Sequence, residues 1–216
     1  MVMQEKYTLL SKDGGKSMSK VLVGMPTMGS MDIEAVKCMM QLEFDGSVDI
    51  ISESLVYDAR DKIAMDALAS KVDWVMWLDS DIVYAPNIIR VLMSHNKDMC
   101  TGIYYKRTPP FTPCIYKLDG DKLVPYLDHP EEGLFNVTAA GFGCMLMKAK
   151  VIKAVYDKFG GCFFPVNGVG GEDLSFIKRA SECGFEVCCD PKVKCGHIGR
   201  QIIMPDKSII QMPAAE

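Results

Sequence analysis

No stretch of this 216-residue chain approaches the roughly 18 to 20 consecutive apolar residues that a membrane-crossing helix needs. Its first residues lack the apolar core of a secretory signal. Basic residues are not in excess: 24 Lys and Arg against 28 Asp and Glu leave a net charge of −4. That balance excludes a nucleic-acid polymer as partner, because tracking phosphates requires a basic footprint. Nine cysteines are present, yet no C-x-x-C pair occurs, so zinc-ribbon and thioredoxin-type motifs are excluded. An odd number of scattered thiols fits buried, reduced cysteines and a cytoplasmic location. No repeat and no linker divides the chain. Residues 20–216 are therefore read as one domain behind a flexible leader over 1–19. Within that leader, Asp13-Gly-Gly-Lys-Ser17 departs from a phosphate-binding loop, since Leu10 stands where the pattern requires glycine and no strand precedes it.

What the chain does have is a buried-strand signal ending in acid. Val72 and Trp74 to Leu78 form an almost wholly apolar run, which fits a strand covered on both faces of a sheet. Asp79 and Asp81 follow at once, and Pro86 opens the next helical pattern. Two carboxylates leaving the carboxyl end of a central strand lie where open α/β sheets bind ligands. Their oxygens suit a hard divalent cation bridging phosphates. They also suit a turn that caps the following helix.

Periodicity upstream predicts strands over 21–25 and 47–52 and helices over 31–43 and 58–70. A helix over 86–95 and a strand over 99–104 follow the acidic turn. This βαβαβαβ order is that of a mostly parallel, Rossmann-like sheet flanked by helices. Beyond it, three prolines in Lys106-Arg-Thr-Pro-Pro-Phe-Thr-Pro113 forbid a regular element. Short strands near 114–118, 122–124 and 134–138 predict a smaller antiparallel portion. Small residues from Ala139 then lead into an apolar strand to Met147. A helix over 148–159 comes next, then one that begins in Gly168-Val-Gly-Gly-Glu-Asp-Leu and stops at Gly184.

Glu172 and Asp173 at that helix start fit either a ligand site behind a glycine-rich loop or simple pairing with the helix dipole. His197, in Gly196-His-Ile-Gly199 just past a last strand over 186–189, is a ligand candidate or a structural histidine. Arg60, Lys106 and Arg107 are the cations able to neutralise a diphosphate. Each of the three also fits a solvated surface position.

As an ordered set these motifs resemble the glycosyltransferases of the GT-A fold, specifically the family-two-like inverting enzymes. The matching residues are Met25-Pro26-Thr27, Arg60-Asp61, Leu78-Asp-Ser-Asp81, Gly141-Phe-Gly-Cys-Met-Leu146, Gly171-Glu-Asp-Leu-Ser-Phe176 and Gly196-His197. They span nearly the whole chain. The resemblance implies a nucleotide-binding half over 20–105, an acceptor and metal half over 106–199 and a tail over 200–216. It implies a nucleoside-diphosphate sugar as donor and a carbohydrate or other hydroxyl as acceptor. Pro26, Thr27 and Glu53 would line the base and ribose pocket, with Asp79 and Ser80 beside it. Arg60 would face the diphosphate, and Phe142 and Gly143 would border the sugar. Asp79, Asp81 and His197 would hold Mn2+ (or Mg2+), the imidazole favouring manganese. Asp173 would be the catalytic base, kept ionised by the helix dipole, and Glu172 would orient donor or acceptor. Such families often carry Arg-Asn where this chain has Arg60-Asp61, so no donor contact is assigned to Asp61.

Two other readings fit fewer residues. Leu78-Asp-Ser-Asp81 also matches the acid pair of haloacid-dehalogenase-type phosphatases, with Asp79 as nucleophile, although two β-α units precede it here. A non-catalytic binder of nucleotide-sugar or carbohydrate would use the same fold without turnover.

Overall fold

The computed structural model describes residues 19–199, together with the backbone of Lys6–Leu9, Gln201–Ile203 and Ile209–Gln211. The Asp13 to Ser17 fragment and the tail side chains lie outside the described residues. The elements in the nucleotide half are β1 (Lys6–Leu9), β2 (Val21–Thr27), α1 (Ile33–Met40), β3 (Gly46–Ser52), α2 (Val56–Ala69), β4 (Trp74–Leu78), β5 (Ile82–Val83), α3 (Ile88–Ser94) and β6 (Met99–Ile103). The second half adds β7 (Ile115–Asp119), β8 (Lys122–Pro125), β9 (Phe135–Val137), β10 (Ala139–Ala140), β11 (Cys144–Lys148), α4 (Ala149–Phe159), α5 (Glu172–Glu182), β12 (Val187–Lys194), β13 (Gly196–His197), β14 (Gln201–Ile203) and β15 (Ile209–Gln211).

The main sheet runs β1-β3-β2-β4-β11-β6-β12-β9. β2 pairs in parallel with both β3 and β4, and β12 pairs in parallel with β6. Between β4 and β6, however, β11 is inserted antiparallel to both. The βαβαβαβ order of the first half predicts a mostly parallel sheet. That order does not contain the insertion, because β11 returns from far along the chain, and local periodicity carries no record of such a pairing. All five residues of β4 and all five of β6 are buried, as are Cys144 to Met147 of β11, so the inserted strand forms the centre of the core. Edge strand β1 pairs antiparallel with β3, where a leader without regular structure was expected.

Helix α2 turns Ala59, Arg60, Ile63, Ala64 and Ala67 inward. That i, i+3, i+4 spacing is an ordinary helix–core face, except that one of its members is an arginine. Beneath it Trp77, Phe142, Phe163 and Phe176 pack edge-on or stacked, with ring centroids 4.7–5.9 Å apart. Burying each of these rings contributes about 2–3 kcal/mol or more. Asp61, the neighbour of Arg60, faces another way. Its Oδ1 accepts the amides of Cys162 at 3.0 Å and Phe163 at 2.9 Å. Arg179 binds the same loop from the far side through the carbonyls of Cys162 at 2.9 Å and Phe164 at 2.5 Å. Asp61 thus fastens the segment that puts Phe163 under α2.

Replacing Asp61 with Ala should leave two amides without their acceptor and lower unfolding free energy by about 2 kcal/mol. Urea unfolding of the two proteins measures this, and an unchanged midpoint would show that the loop is held by something else.

Candidate active site

The carboxyl ends of β2, β3 and β4 lie side by side because those strands are parallel and in register. Pro26 and Thr27 end β2, and the Thr27 carbonyl accepts the Glu53 amide at 3.1 Å just beyond β3. The Glu53 carboxylate pairs with Lys62 of α2. Ser80 lies past β4, where its carbonyl accepts the amide of Asp32, the N-cap of α1, at 3.1 Å. Pro26, Thr27, Glu53, Asp79 and Ser80 therefore share one edge of the sheet.

Arg60 reaches that edge from below. It is only 2% exposed. Its Nη2 donates to Asp79 Oδ1 at 2.7 Å and its Nε to Glu172 Oε1 at 3.1 Å. The guanidinium carbon sits 5.5 Å from the Phe142 ring centroid and 5.8 Å from that of Trp77. Burial pulls the guanidinium pKa down, but the charges of Asp79, Glu172 and Asp173 outweigh it and hold the group above its ordinary value. Arg60 thereby ties the end of β4 to the start of α5, bonding in Glu172 a residue 112 positions along the chain from itself. Facing the diphosphate was the expectation for Arg60; in the structure its Nη2 and Nε bond carboxylates, while its buried Nη1 has no hydrogen-bond partner among the described residues. Phe142, expected beside the sugar, is instead buried under Arg60.

Asp81 and His197 meet next to this pair. β13 pairs with β5, setting His197 opposite Ile82, and the Ile198 amide donates to the Asp81 carbonyl at 2.8 Å. His197 Nε2 lies 3.4 Å from Asp81 Oδ2, and its Nδ1 lies 2.8 Å from the Tyr105 carbonyl. A carbonyl only accepts, so Nδ1 carries a proton and Nε2 faces the carboxylate. Arg107 also pairs with Asp81. Burial opposes ionisation of Asp81, but the His197 imidazole and the Arg107 guanidinium prevail and hold it below the usual carboxylate range. Burial likewise opposes the charged imidazole, and the Asp81 carboxylate raises it above its usual value.

A divalent cation fits part of this donor set. Asp81 oxygen and His197 nitrogen are adjacent, and the Nδ1 bond to a backbone carbonyl is the outer contact that orients ligating histidines. Asp79 does not join them, because its Oδ1 is held by Arg60. Among the described residues no three His, Cys, Asp or Glu converge as a cage. Two protein ligands completed by phosphate oxygens and water is a usual arrangement for such ions.

Asp173 occupies the first turn of α5, with its Oδ1 accepting the Leu174 amide at 2.7 Å. The helix dipole was expected to keep it ionised. Burial instead pushes its carboxyl up to about 6, the neighbouring Glu172 adding to the rise and Arg60 opposing it. Positive φ at Gly170 (105°) brings the chain into α5, a backbone state that side chains rarely adopt.

Tyr104, at the end of β6, was not singled out from sequence. Its hydroxyl accepts the Gly143 amide at 3.0 Å, and Gly143 in turn accepts the Asp79 amide at 3.4 Å. A Cβ on Gly141 would lie 2.1 Å from that hydroxyl and one on Gly143 3.0 Å from it, so both glycines make room for Tyr104. The signal was its position at the carboxyl end of a parallel strand.

Comparison with known proteins bears on this geometry. The Anp1 family model matches residues 51–111, the segment carrying Glu53, Arg60, Asp79, Asp81 and Arg107. The mannan polymerase complex subunit mnn9 of Schizosaccharomyces pombe is 34% identical over 68 residues. That stretch is 31% of this chain, which spans 17% of the length of that relative. Among solved structures, A197 from STIV superposes with a TM-score of 0.59 at 18% identity, over 91% of this chain and 95% of that one. GalNAc-T7, solved with UDP, GalNAc and Mn2+, superposes with a TM-score of 0.55 at 13% identity, over 84% of this chain and 43% of that one. The fold is GT-A. The GT-A sheet leaves no room for the haloacid-dehalogenase architecture as an alternative. No helix among the described residues is long and apolar enough to cross a membrane.

Asp173 has an ordinary value of 3.8, and about 6 in the folded chain. The native state therefore holds this proton more tightly than the unfolded one, and stability falls as pH rises through that interval. Asp173→Asn should unfold at higher urea than the parent near pH 7.5, with the gap closing near pH 4. An equal gap at both values would mean that Asp173 carries no burial cost.

Proposed function

We propose that this chain is a glycosyltransferase that moves a sugar from a nucleoside-diphosphate sugar to an acceptor hydroxyl with inversion at the anomeric carbon. One observation carries the reading: a buried arginine bonds Asp79 at the end of β4 and Glu172 at the start of α5, with Asp173 next in the chain. That contact sets a donor edge and a base side by side.

Pro26, Thr27, Glu53 and Ser80 line the base and ribose side, and Asp79 is turned from the ribose toward Arg60. Asp81 and His197 would hold the cation. When bound, Mn2+ (or Mg2+) supplies positive charge to the diphosphate leaving group. Arg107, which pairs with Asp81, and Lys106 are the cations that would neutralise the diphosphate. The acceptor oxygen forms its bond to the anomeric carbon from the face opposite the phosphate. The bond to the phosphate oxygen breaks and its electron pair leaves with the nucleoside diphosphate. The acceptor proton passes to Asp173. A carboxyl near 6 is ionised at neutral pH and is a stronger base than an ordinary aspartate, which supports this role. Glu172 holds Arg60 in place, and Gly143 with the Tyr104 hydroxyl borders the sugar. Nine unpaired thiols support a reducing compartment such as the cytoplasm.

Screening nucleotide-sugars with and without Mn2+ for binding, slow hydrolysis and transfer tests the proposal. One donor should protect the chain against thermal unfolding in a Mn2+-dependent way. Asp173→Asn should keep that protection and lose about 100-fold or more in turnover. Parent turnover should fall as pH drops through about 6. No nucleotide-sugar binding, or full turnover by Asp173→Asn, would overturn it.

A further inference from the structure

A group of side chains that the donor reading does not use stands beside the site. Tyr105 follows the buried Tyr104 and points outward, 43% exposed. Its hydroxyl lies 3.4 Å from His129 Nε2, while His129 Nδ1 lies 3.0 Å from the Pro130 carbonyl. Since that carbonyl only accepts, Nδ1 carries the proton and the Tyr105 hydroxyl donates to Nε2. The His129 ring lies parallel to Phe135, within 3° and at 6.1 Å. Tyr126 stands edge-on to both, at 6.4 and 5.7 Å. Leu127 is 68% exposed at the rim. Lys117 lies 4.6 Å from the Tyr126 ring centroid and pairs with Asp128, which adds polar groups to the same patch.

Three features tie this patch to the site. The Tyr105 carbonyl is the acceptor for His197 Nδ1, so one residue touches both. Phe135 opens β9 opposite Cys189 of β12, and β9 runs antiparallel to β12. Residues 126–134 therefore reach the sheet from the carboxyl edge of β12, the edge where Asp79 ends β4. Finally, Tyr116 of β7 pairs with Pro125, the residue before Tyr126. Tyr116 also lies opposite Ala139 of β10, the strand against which α5 packs, and Asp173 sits in the first turn of α5.

We propose that Tyr105, Tyr126, Leu127, His129 and Phe135 form a platform that binds a pyranose ring of a carbohydrate acceptor. A pyranose has an apolar C–H face and a rim of hydroxyls, and the platform offers ring faces with polar groups at their edge. Its handful of side chains falls short of the about 20–30 residues per side of a stable protein interface, which argues for a small ligand. The word acceptor rests on the glycosyltransferase reading; the carbohydrate surface does not.

The test uses the full chain and saturation-transfer NMR with methyl α-mannopyranoside and methyl N-acetyl-α-galactosaminide as probes. Nucleoside diphosphate with Mn2+ is titrated in parallel. The parent should transfer saturation to the C–H protons of at least one glycoside. His129→Ala with Leu127→Ser should weaken its binding about tenfold, and Tyr105→Phe, which removes only a hydroxyl, should weaken it less. All variants should melt within about 2 °C of the parent, as surface changes do. Glycoside binding that persists at full strength in the variants, or no binding by the parent to either probe, would overturn the platform. So would a parent dimer that the variants dissociate with no glycoside effect, since the patch would then be a contact between copies. Glycoside binding without nucleotide binding would uphold the platform and defeat the donor reading, which keeps the two separable.

Discussion

A guanidinium cannot be taken out of water unless its charge is answered, and Arg60 is answered twice. Trp77 and Phe142 lie beneath it, and Asp79 and Glu172 bond its Nη2 and Nε. Such an ion cluster adds little net stability compared with an apolar core, but breaking it is expensive. What it supplies is position. Strand β4 and helix α5 are distant in sequence and share no hydrogen-bonded pairing, yet their acidic ends are fixed to one side chain. Burial lifts the carboxyl of Asp173 beside it, with Glu172 adding to the rise and Arg60 restraining it.

The inserted strand β11 does the complementary work from the other side. By lying between β4 and β6 it brings Gly143 against the Asp79 amide and Tyr104 against the Gly143 amide. Three strands are thus laced together at the edge where the ligand-facing residues emerge. Tyr104 and Tyr105 then split the roles of one short segment. The first closes the floor, and the second orients His197 through its carbonyl and turns its ring toward the aromatic patch.

Much of this was legible in the sequence, for physical reasons. β4 and the acid pair at its end read directly from an apolar run that stops in carboxylates. The helix beginning at Glu172 reads from glycines followed by acids. Periodicity also placed the early strands and helices close to where they lie. What it could not give was pairing across distance: β11 between β4 and β6, or Lys6–Leu9 against β3. Arg60 shows the subtler failure. It sits at i, i+3, i+4 spacing with Ile63, Ala64 and Ala67, a core pattern, but its charge made it look like a ligand contact. Phe142 was set beside the sugar by the family resemblance alone, and it is core.

The central claim is that Arg60 couples Asp79 to Glu172, and a double-mutant cycle measures that coupling most directly. Arg60→Met alone should cost about 3–5 kcal/mol of unfolding free energy by leaving two carboxylates without their partner. Adding Asp79→Asn and Glu172→Gln to that background should recover a large part of the loss. If Arg60→Met is nearly neutral, or if the carboxylate changes simply add to its cost, the arginine does not hold the site together.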